Sequence, residues 1–181
     1  MMRYMLLLAA ALAGPSIGSA QTVTSHREGA AVIVEAFEDI EATPEQAWAV
    51  LTDYEDLARF IPDMTESRII SRTGNTVLVE QKGSASLFLL SRPVQVRLEI
   101  VESPYEWVTS RAVSGSFKEM EGRYELKPRG GGMLRFTYTG RIVPDFWVPA
   151  FIETAAVRRS ITRQFSAMMK EIRRRADEGK P

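Results

Sequence analysis

The chain of 181 residues has no cysteine and a single histidine, His26. The first absence removes thiol nucleophiles, disulfides and zinc–thiolate centres together. The second removes histidine triads and multi-histidine metal sites, which need imidazoles held on a rigid framework. Neither sign of charge is in excess, since 23 Lys and Arg balance 23 Asp and Glu, so no overall field recruits nucleic acid and no such partner is expected. A Walker loop, a dinucleotide glycine fingerprint and paired metal-ligand motifs are all missing. No cofactor, metal site or catalytic motif is therefore expected. The triple glycine Gly130 to Gly132 lacks the lysine and helix that follow a phosphate loop, and reads as a hairpin connection.

Long apolar runs are also scarce. The one near the start, Met5 to Ala13, follows Arg3, is broken at Gly14-Pro15, and falls short of the roughly 20 residues a spanning helix needs. Gly18-Ser19-Ala20 then places small residues at the minus-three and minus-one positions. Residues 1–20 read as a secretory signal peptide cleaved after Ala20, with retention as an anchor the alternative. The expected location is periplasmic or secreted, where lack of cysteine means only that disulfides do not hold the fold together. Residues 21–29, including His26, are polar and read as a flexible leader.

What the chain does have is periodicity. From Pro149 to Ala176, apolar residues recur at Val157, Ile161, Phe165, Met168 and Ile172, one stripe of a long α-helix, with a charged tail at 177–181. Everything before it reads mostly as strands. The first runs from Ala30 to about Glu41. Thr43-Pro44-Glu45-Gln46 is a capping box with proline at the first helical position, and Asp53 is read as the cap of a second short helix holding Tyr54, Leu57 and Phe60. Six further strands follow: Thr65–Arg72, Thr76–Ala85, Pro93–Val101, Trp107–Val113, Phe117–Lys127 and Leu134–Val143. The fold class is α+β: a seven-stranded antiparallel curved sheet wrapped around a long C-terminal helix, with two short helices after strand one, over residues 30–176. A sheet wrapping a helix leaves a hollow between the layers, where small-molecule sites occur.

This order of elements resembles the helix-grip superfamily called START-like or SRPBCC, most closely its polyketide cyclase/dehydrase and coenzyme-Q-binding branch. The residues that carry the resemblance are Ala42-Thr43-Pro44-Glu45-Gln46-Ala47-Trp48 running into Leu51-Thr52-Asp53-Tyr54, then Phe60-Ile61-Pro62, the Gly115 to Gly122 run with Phe117 and Lys118, and the terminal helix. The resemblance implies hydrophobic ligands held between sheet and helix, with catalysis in only some members.

Candidate ligand-binding residues are Trp107, Arg111, Phe117, Met120, Tyr124, Phe136, Tyr138, Phe146, Trp147 and Phe151. On the strand from Trp107, the pattern does not decide whether Trp107, Thr109 and Arg111 or Val108, Ser110 and Ala112 face inward. An inward Arg111 needs a ligand carboxylate or a protein acid such as Glu153. Lys118 shares the period-two phase of Met120 and Tyr124. Glu119, Glu121 and Glu125 read as a solvated outer face. Tyr124 and Tyr138 either orient a ligand or bond to backbone. Phe146, Trp147 and Phe151 form either a cavity lip or a packing cap, and Leu87-Phe88-Leu89-Leu90 is either an inner strand or an access loop. The last helix carries Arg158, Arg159, Arg163, Lys170, Arg173, Arg174 and Arg175, a face read as solvated, with peripheral contact to anionic membrane as the alternative. The expected function is an exported, monomeric binding or carrier protein for a hydrophobic small molecule, such as a lipid, quinone or polyketide-like compound. Two alternatives are a cyclase/dehydratase-type enzyme in the same cavity and a membrane- or protein-interaction module with a filled core.

Overall fold

The computed structural model describes residues 20–87, 90–146 and 150–179, without the side chains of 86, 87, 90, 150 and 151. Residues 1–19, read from the sequence as a signal peptide, the side chains of the Leu87–Leu90 cluster, Trp147 and the Phe151 side chain lie outside the described residues. The elements are β1 (Thr22–Glu28), β2 (Ala31–Glu41), α1 (Pro44–Leu51), α2 (Leu57–Phe60), β3 (Met64–Thr73), β4 (Thr76–Leu87), β5 (Leu90–Ser103), β6 (Trp107–Gly115), β7 (Phe117–Gly130), β8 (Met133–Pro144) and α3 (Ala150–Glu178).

The strands form one antiparallel sheet in the order β1-β2-β8-β7-β6-β5-β4-β3. Period-two alternation sets its two faces. Val32, Val34, Ala36 and Ile40 of β2, Leu98 and Ile100 of β5, and Leu134, Phe136 and Tyr138 of β8 are buried on the inner face. The capping box closes as the sequence predicts. The Gln46 N–H donates to Thr43 Oγ1 at 3.3 Å and the Thr43 N–H to Gln46 Oε1 at 2.9 Å, satisfying two donors that the first turn of α1 leaves free.

Three readings of the sequence need correction. The sheet has eight strands rather than seven, because residues taken as a flexible leader form β1 along β2, with His26 opposite Ile33. This strand has no apolar face to announce it. Its backbone ladder and its contacts with α3 hold it: Gln21 Nε2 donates to the Thr162 carbonyl at 3.3 Å, and Ser166 Oγ donates to Gln21 Oε1 at 2.5 Å. Asp53 does not cap α2, which begins after Asp56; its carboxylate accepts from Arg175 at 2.8 Å. Helix α3 continues through Asp177 and Glu178, which the sequence reading placed in the tail.

Helix α3 lies across the inner face. Ile161, Phe165, Met168 and Ile172 of its stripe are buried, joined by Met169 and Ala176, and the Phe165 ring meets Phe136 edge-on at 5.7 Å between centroids. Ion pairs from four separate segments fasten its polar flanks: Arg27 to Glu153, Asp63 to Arg163, Glu38 to Arg173 and Asp53 to Arg175. Arg174 is held by Glu171 and Glu178, so much of the basic face is matched within the fold. No described helix is long and apolar enough to cross a membrane.

Candidate functional site

Between the inner sheet face and α3 lies a cavity of two lobes. The outer lobe, about 130 Å³, is bounded by Ala85, Val94, Phe117, Ile142, Pro144 and Phe146 on the sheet side and by Glu153, Ala156, Val157 and Ser160 on α3. The deep lobe, about 110 Å³, reaches toward α1 and α2 and is bounded by Tyr54, Leu57, Gln81, Leu98, Val108, Ser110, Tyr124, Tyr138 and Met168, among others. Met120, Ile161 and Gln164 border both lobes.

Local sequence explains which side chains arrive here. On β7, Met120, Gly122, Tyr124 and Leu126 share one phase and face α3, while Glu119, Glu121 and Glu125 face outward, where Glu119 pairs with Arg141 and Glu125 with Arg123 and Lys127. The opposite β8 positions repeat the phase, placing Tyr138 directly across from Tyr124 with centroids 4.7 Å apart. Neither tyrosine hydroxyl has a hydrogen-bond partner among the described residues. Burial pushes the Tyr138 phenol up to about 12. Burial and then the neighbouring Tyr138 raise Tyr124 as well. Both are therefore neutral O–H donors at ordinary pH. Tyr54, by contrast, spends its hydroxyl on the buried Glu102 at 2.8 Å, which Arg72 also holds.

Of the residues proposed from the sequence, Phe117, Met120 and Phe146 line the outer lobe, and Met120, Tyr124 and Tyr138 the deep one. Phe136 is fully buried behind Tyr124, 5.6 Å between centroids, and supports the wall without lining it. Trp107 and Arg111 are corrected: they point to the outer face. Val108, Ser110 and Ala112 take the inner phase instead, since Val108 is buried in the core. Trp107 lies beneath the Arg123 guanidinium, 4.7 Å from the ring centroid, and Arg111 donates to Glu99 at 2.8 Å with 62% of its side chain exposed. Lys118 is also exposed, 3.8 Å from Asp145, because a register shift between Phe117 and Glu119 breaks the phase it shares on paper with Met120. Glu153 borders the outer lobe, but its partner is Arg27 of β1 at 2.5 Å and not Arg111. Sequence reasoning missed Tyr54, Gln81, Ser110 and Gln164 as lining residues. For Gln164 the available signal was its position between Ile161 and Met168 on the apolar side of α3.

A larger recess, about 490 Å³, opens on the outer face around Arg111, Glu121, Arg123 and Arg141. It faces solvent, and its arginines are held by neighbouring acids, Arg111 by Glu99, Arg123 by Glu125 and Arg141 by Glu119 and Glu28, so it does not offer the enclosed apolar surroundings of the inner lobes. Among the described residues no group of three acidic, histidine or cysteine side chains is placed to hold a metal ion.

Comparison with known proteins agrees with this geometry at the level of fold. A solved Xanthomonas axonopodis STAR-related lipid transfer protein superposes with a TM-score of 0.67 at 15% identity, covering 86% of this chain and 99% of the other. The ZhuI aromatase/cyclase from Streptomyces sp. R1128 gives 0.68 at 15% identity, over 80% and 95% of the two chains. Human StAR-related lipid transfer protein 5 gives 0.69 at 14%, over 88% of each. A search of curated proteins found no match to the sequence. Residues 31–177 match the profile of a family described as polyketide cyclase / dehydrase and lipid transport, a segment that begins at β2 and leaves β1 outside. With nearly all of its folded length so matched, the chain belongs to that family and carries its helix-grip fold.

Proposed function

We propose that this protein is an exported, monomeric binding or carrier protein that holds a hydrophobic small molecule (a lipid, quinone or polyketide-like compound) between the sheet and α3. The observation that carries the reading is the pair of neighbouring lobes, walled by apolar and aromatic side chains, in which Tyr124 and Tyr138 carry hydroxyls that the protein leaves unpaired. A bound acceptor that takes such a donor contributes about 0.5–1.5 kcal/mol net. An open cavity also argues against the interaction-module reading, which rests on a filled core. Export is supported by the apolar run and small-residue site within residues 1–20.

Cyclase- or dehydratase-type chemistry in the same cavity is the second reading. It is favoured by one observation: two protonated phenols side by side are the donor arrangement that polarises a carbonyl. The carrier reading is preferred because, among the described residues, the one carboxyl bordering the lobes, that of Glu153, is engaged by Arg27. Contact with anionic membrane through the exposed Arg158, Arg159 and Lys170 is a subsidiary proposal, and vesicle binding that does not weaken with salt would count against it.

The test is native extraction. The protein is purified from the periplasm of an expressing bacterium, denatured, and both fractions analysed by mass spectrometry. The expected result is a chain beginning at Gln21 with a hydrophobic compound present in stoichiometric amount. An empty protein that also fails to take up an apolar fluorescent probe would overturn the carrier reading.

A further inference from the structure

The deep lobe is not uniformly apolar. Ser110, Gly122 and Gly140 stand in register across β6, β7 and β8, and the two glycines leave a gap in the inner face. Tyr138 lies flat over that gap. A Cβ built on Gly122 would stand 3.1 Å from its ring and 3.0 Å from Ser110 Oγ, and one on Gly140 would stand 2.8 Å from Tyr138 Cζ. Three hydroxyl-bearing residues, Ser110, Tyr124 and Tyr138, line the lobe, none with a hydrogen-bond partner among the described residues. No Lys, Arg, His, Asp or Glu lines this lobe among the described residues.

These features restrict what can bind. A phenolic O–H donates well, so the lobe suits an oxygen acceptor. A carboxylate placed there would lose its water with no cation to meet it, which is far more costly than losing a neutral group's hydration. Size adds a second restriction. Lobes of about 130 and 110 Å³ fall below the roughly 300 Å³ at which sites for drug-sized ligands begin. An apolar cavity of about 150 Å³ takes the six carbons of benzene, so the two lobes together take about ten non-hydrogen atoms, too few for a lipid with two acyl chains.

Resting on the cavity reading above, we propose that the ligand is a compact, uncharged carbonyl compound with one ring or one short chain. It binds carbonyl-first: its C=O accepts from Tyr124 and Tyr138 in the deep lobe, and its apolar end lies in the outer lobe beyond Met120 and Gln164. The buried phenols keep their protons at every physiological pH, so the recognition is insensitive to pH across that range.

The experiment is calorimetric titration of the purified protein with three probes of matched size: butyrophenone, n-butylbenzene and 4-propylbenzoate. The ketone is expected to bind about tenfold more tightly than the hydrocarbon, the gain of about 1.4 kcal/mol that one or two recovered hydrogen bonds supply, with the benzoate weakest. In the Tyr124→Phe/Tyr138→Phe variant the ketone should fall to within about twofold of butylbenzene, whose own affinity is kept. Equal binding of ketone and hydrocarbon by the unaltered protein overturns this inference while leaving the cavity reading intact. So does a preference that survives loss of both hydroxyls, or a benzoate that binds best. Binding of none of the three overturns both.

Discussion

The seat of Tyr138 on the Gly122–Gly140 pair gives a sharp test of the architecture through the substitution Gly140→Ala. The added Cβ would stand 2.8 Å from Tyr138 Cζ and 3.0 Å from Cε1, with the hydroxyl closer still, where ordinary contact begins at 3.4 Å. The ring must therefore rise by about 1 Å, the distance set by its hydroxyl. It cannot slide sideways freely, because Tyr124 packs against it, so it moves into the deep lobe. Overpacking of this kind costs about 1–3 kcal/mol, and loss of glycine's freedom in the unfolded chain returns about 0.4–1 kcal/mol. A net loss of about 1–2 kcal/mol lowers the melting temperature of a chain this size by about 2–8 °C. Thermal unfolding followed by circular dichroism reads that shift, and titration with butyrophenone reads the lost volume. Gly122→Ala, whose Cβ would meet its nearest neighbours at 3.0 and 3.1 Å, should cost less. On a Tyr138→Leu background the Gly140→Ala penalty should largely vanish, a coupling of about 1 kcal/mol. An unchanged melting temperature together with unchanged ketone affinity in Gly140→Ala would refute the seating.

Two further outcomes follow from the ion pairs. Glu80 lies buried on the outer face between Arg68 at 2.6 Å and Arg97 at 2.8 Å, which hold its carboxyl down to about 2, against an ordinary 4.5. A carboxyl depressed in the folded state stabilises fully above its unfolded pKa and stops doing so as pH falls through the folded one. Stability should therefore decline from about pH 4.5 toward pH 2, and Glu80→Gln should flatten that limb in acid titrations followed by circular dichroism; parallel limbs would remove Glu80 as a cause. Arg27→Met strands the Glu153 carboxylate, 10% exposed, beside the outer lobe. The expected cost in urea denaturation is about 2 kcal/mol, below the ~3–5 of fully enclosed pairs because Arg27 itself is partly exposed. Arg27→Met/Glu153→Gln should recover most of it, and a harmless single substitution would show that the Arg27–Glu153 pair contributes nothing to holding α3.

What could be read from the sequence divides along a physical line. The stripe of α3, the Thr43–Gln46 capping box and the alternation of β5, β7 and β8 were legible because a buried face imposes a period and a cap imposes particular side chains. Strand β1 was not legible, because an edge strand held through its backbone needs no apolar alternation. Its Thr-Val-Thr start was the only hint. The phase of β6 was ambiguous because Trp107 can bury its ring on either side, and Arg123 on the neighbouring strand offers a surface for it outside. Lys118 was misplaced by a bulge, which no period reveals. The polar part of the cavity wall went unread for a related reason. Ser110, Gln81 and Gln164 are polar residues on an apolar phase, and only the three-dimensional gap left by the glycines makes such residues a site.

The uneven fastening of α3 has a mechanical consequence. Its final turns are clamped by buried Met169, Ile172 and Ala176 and by the pairs of Arg173 and Arg175, whereas over the outer lobe Ala156, Val157 and Ser160 are only half buried and, among the described residues, the ion pair there is that of Glu153. The 29-residue rod is about 43 Å long at 1.5 Å per residue. A tilt of about 5° pivoting on the clamped end carries the free end through about 4 Å, the thickness of a hydrocarbon chain, by the arithmetic of helix length alone. Length thus converts a small angular give at the fulcrum into an aperture at the opposite end. Amide exchange should accordingly grade along α3, fastest near Ile152 and slowest near Ile172, with the sheet beneath undisturbed.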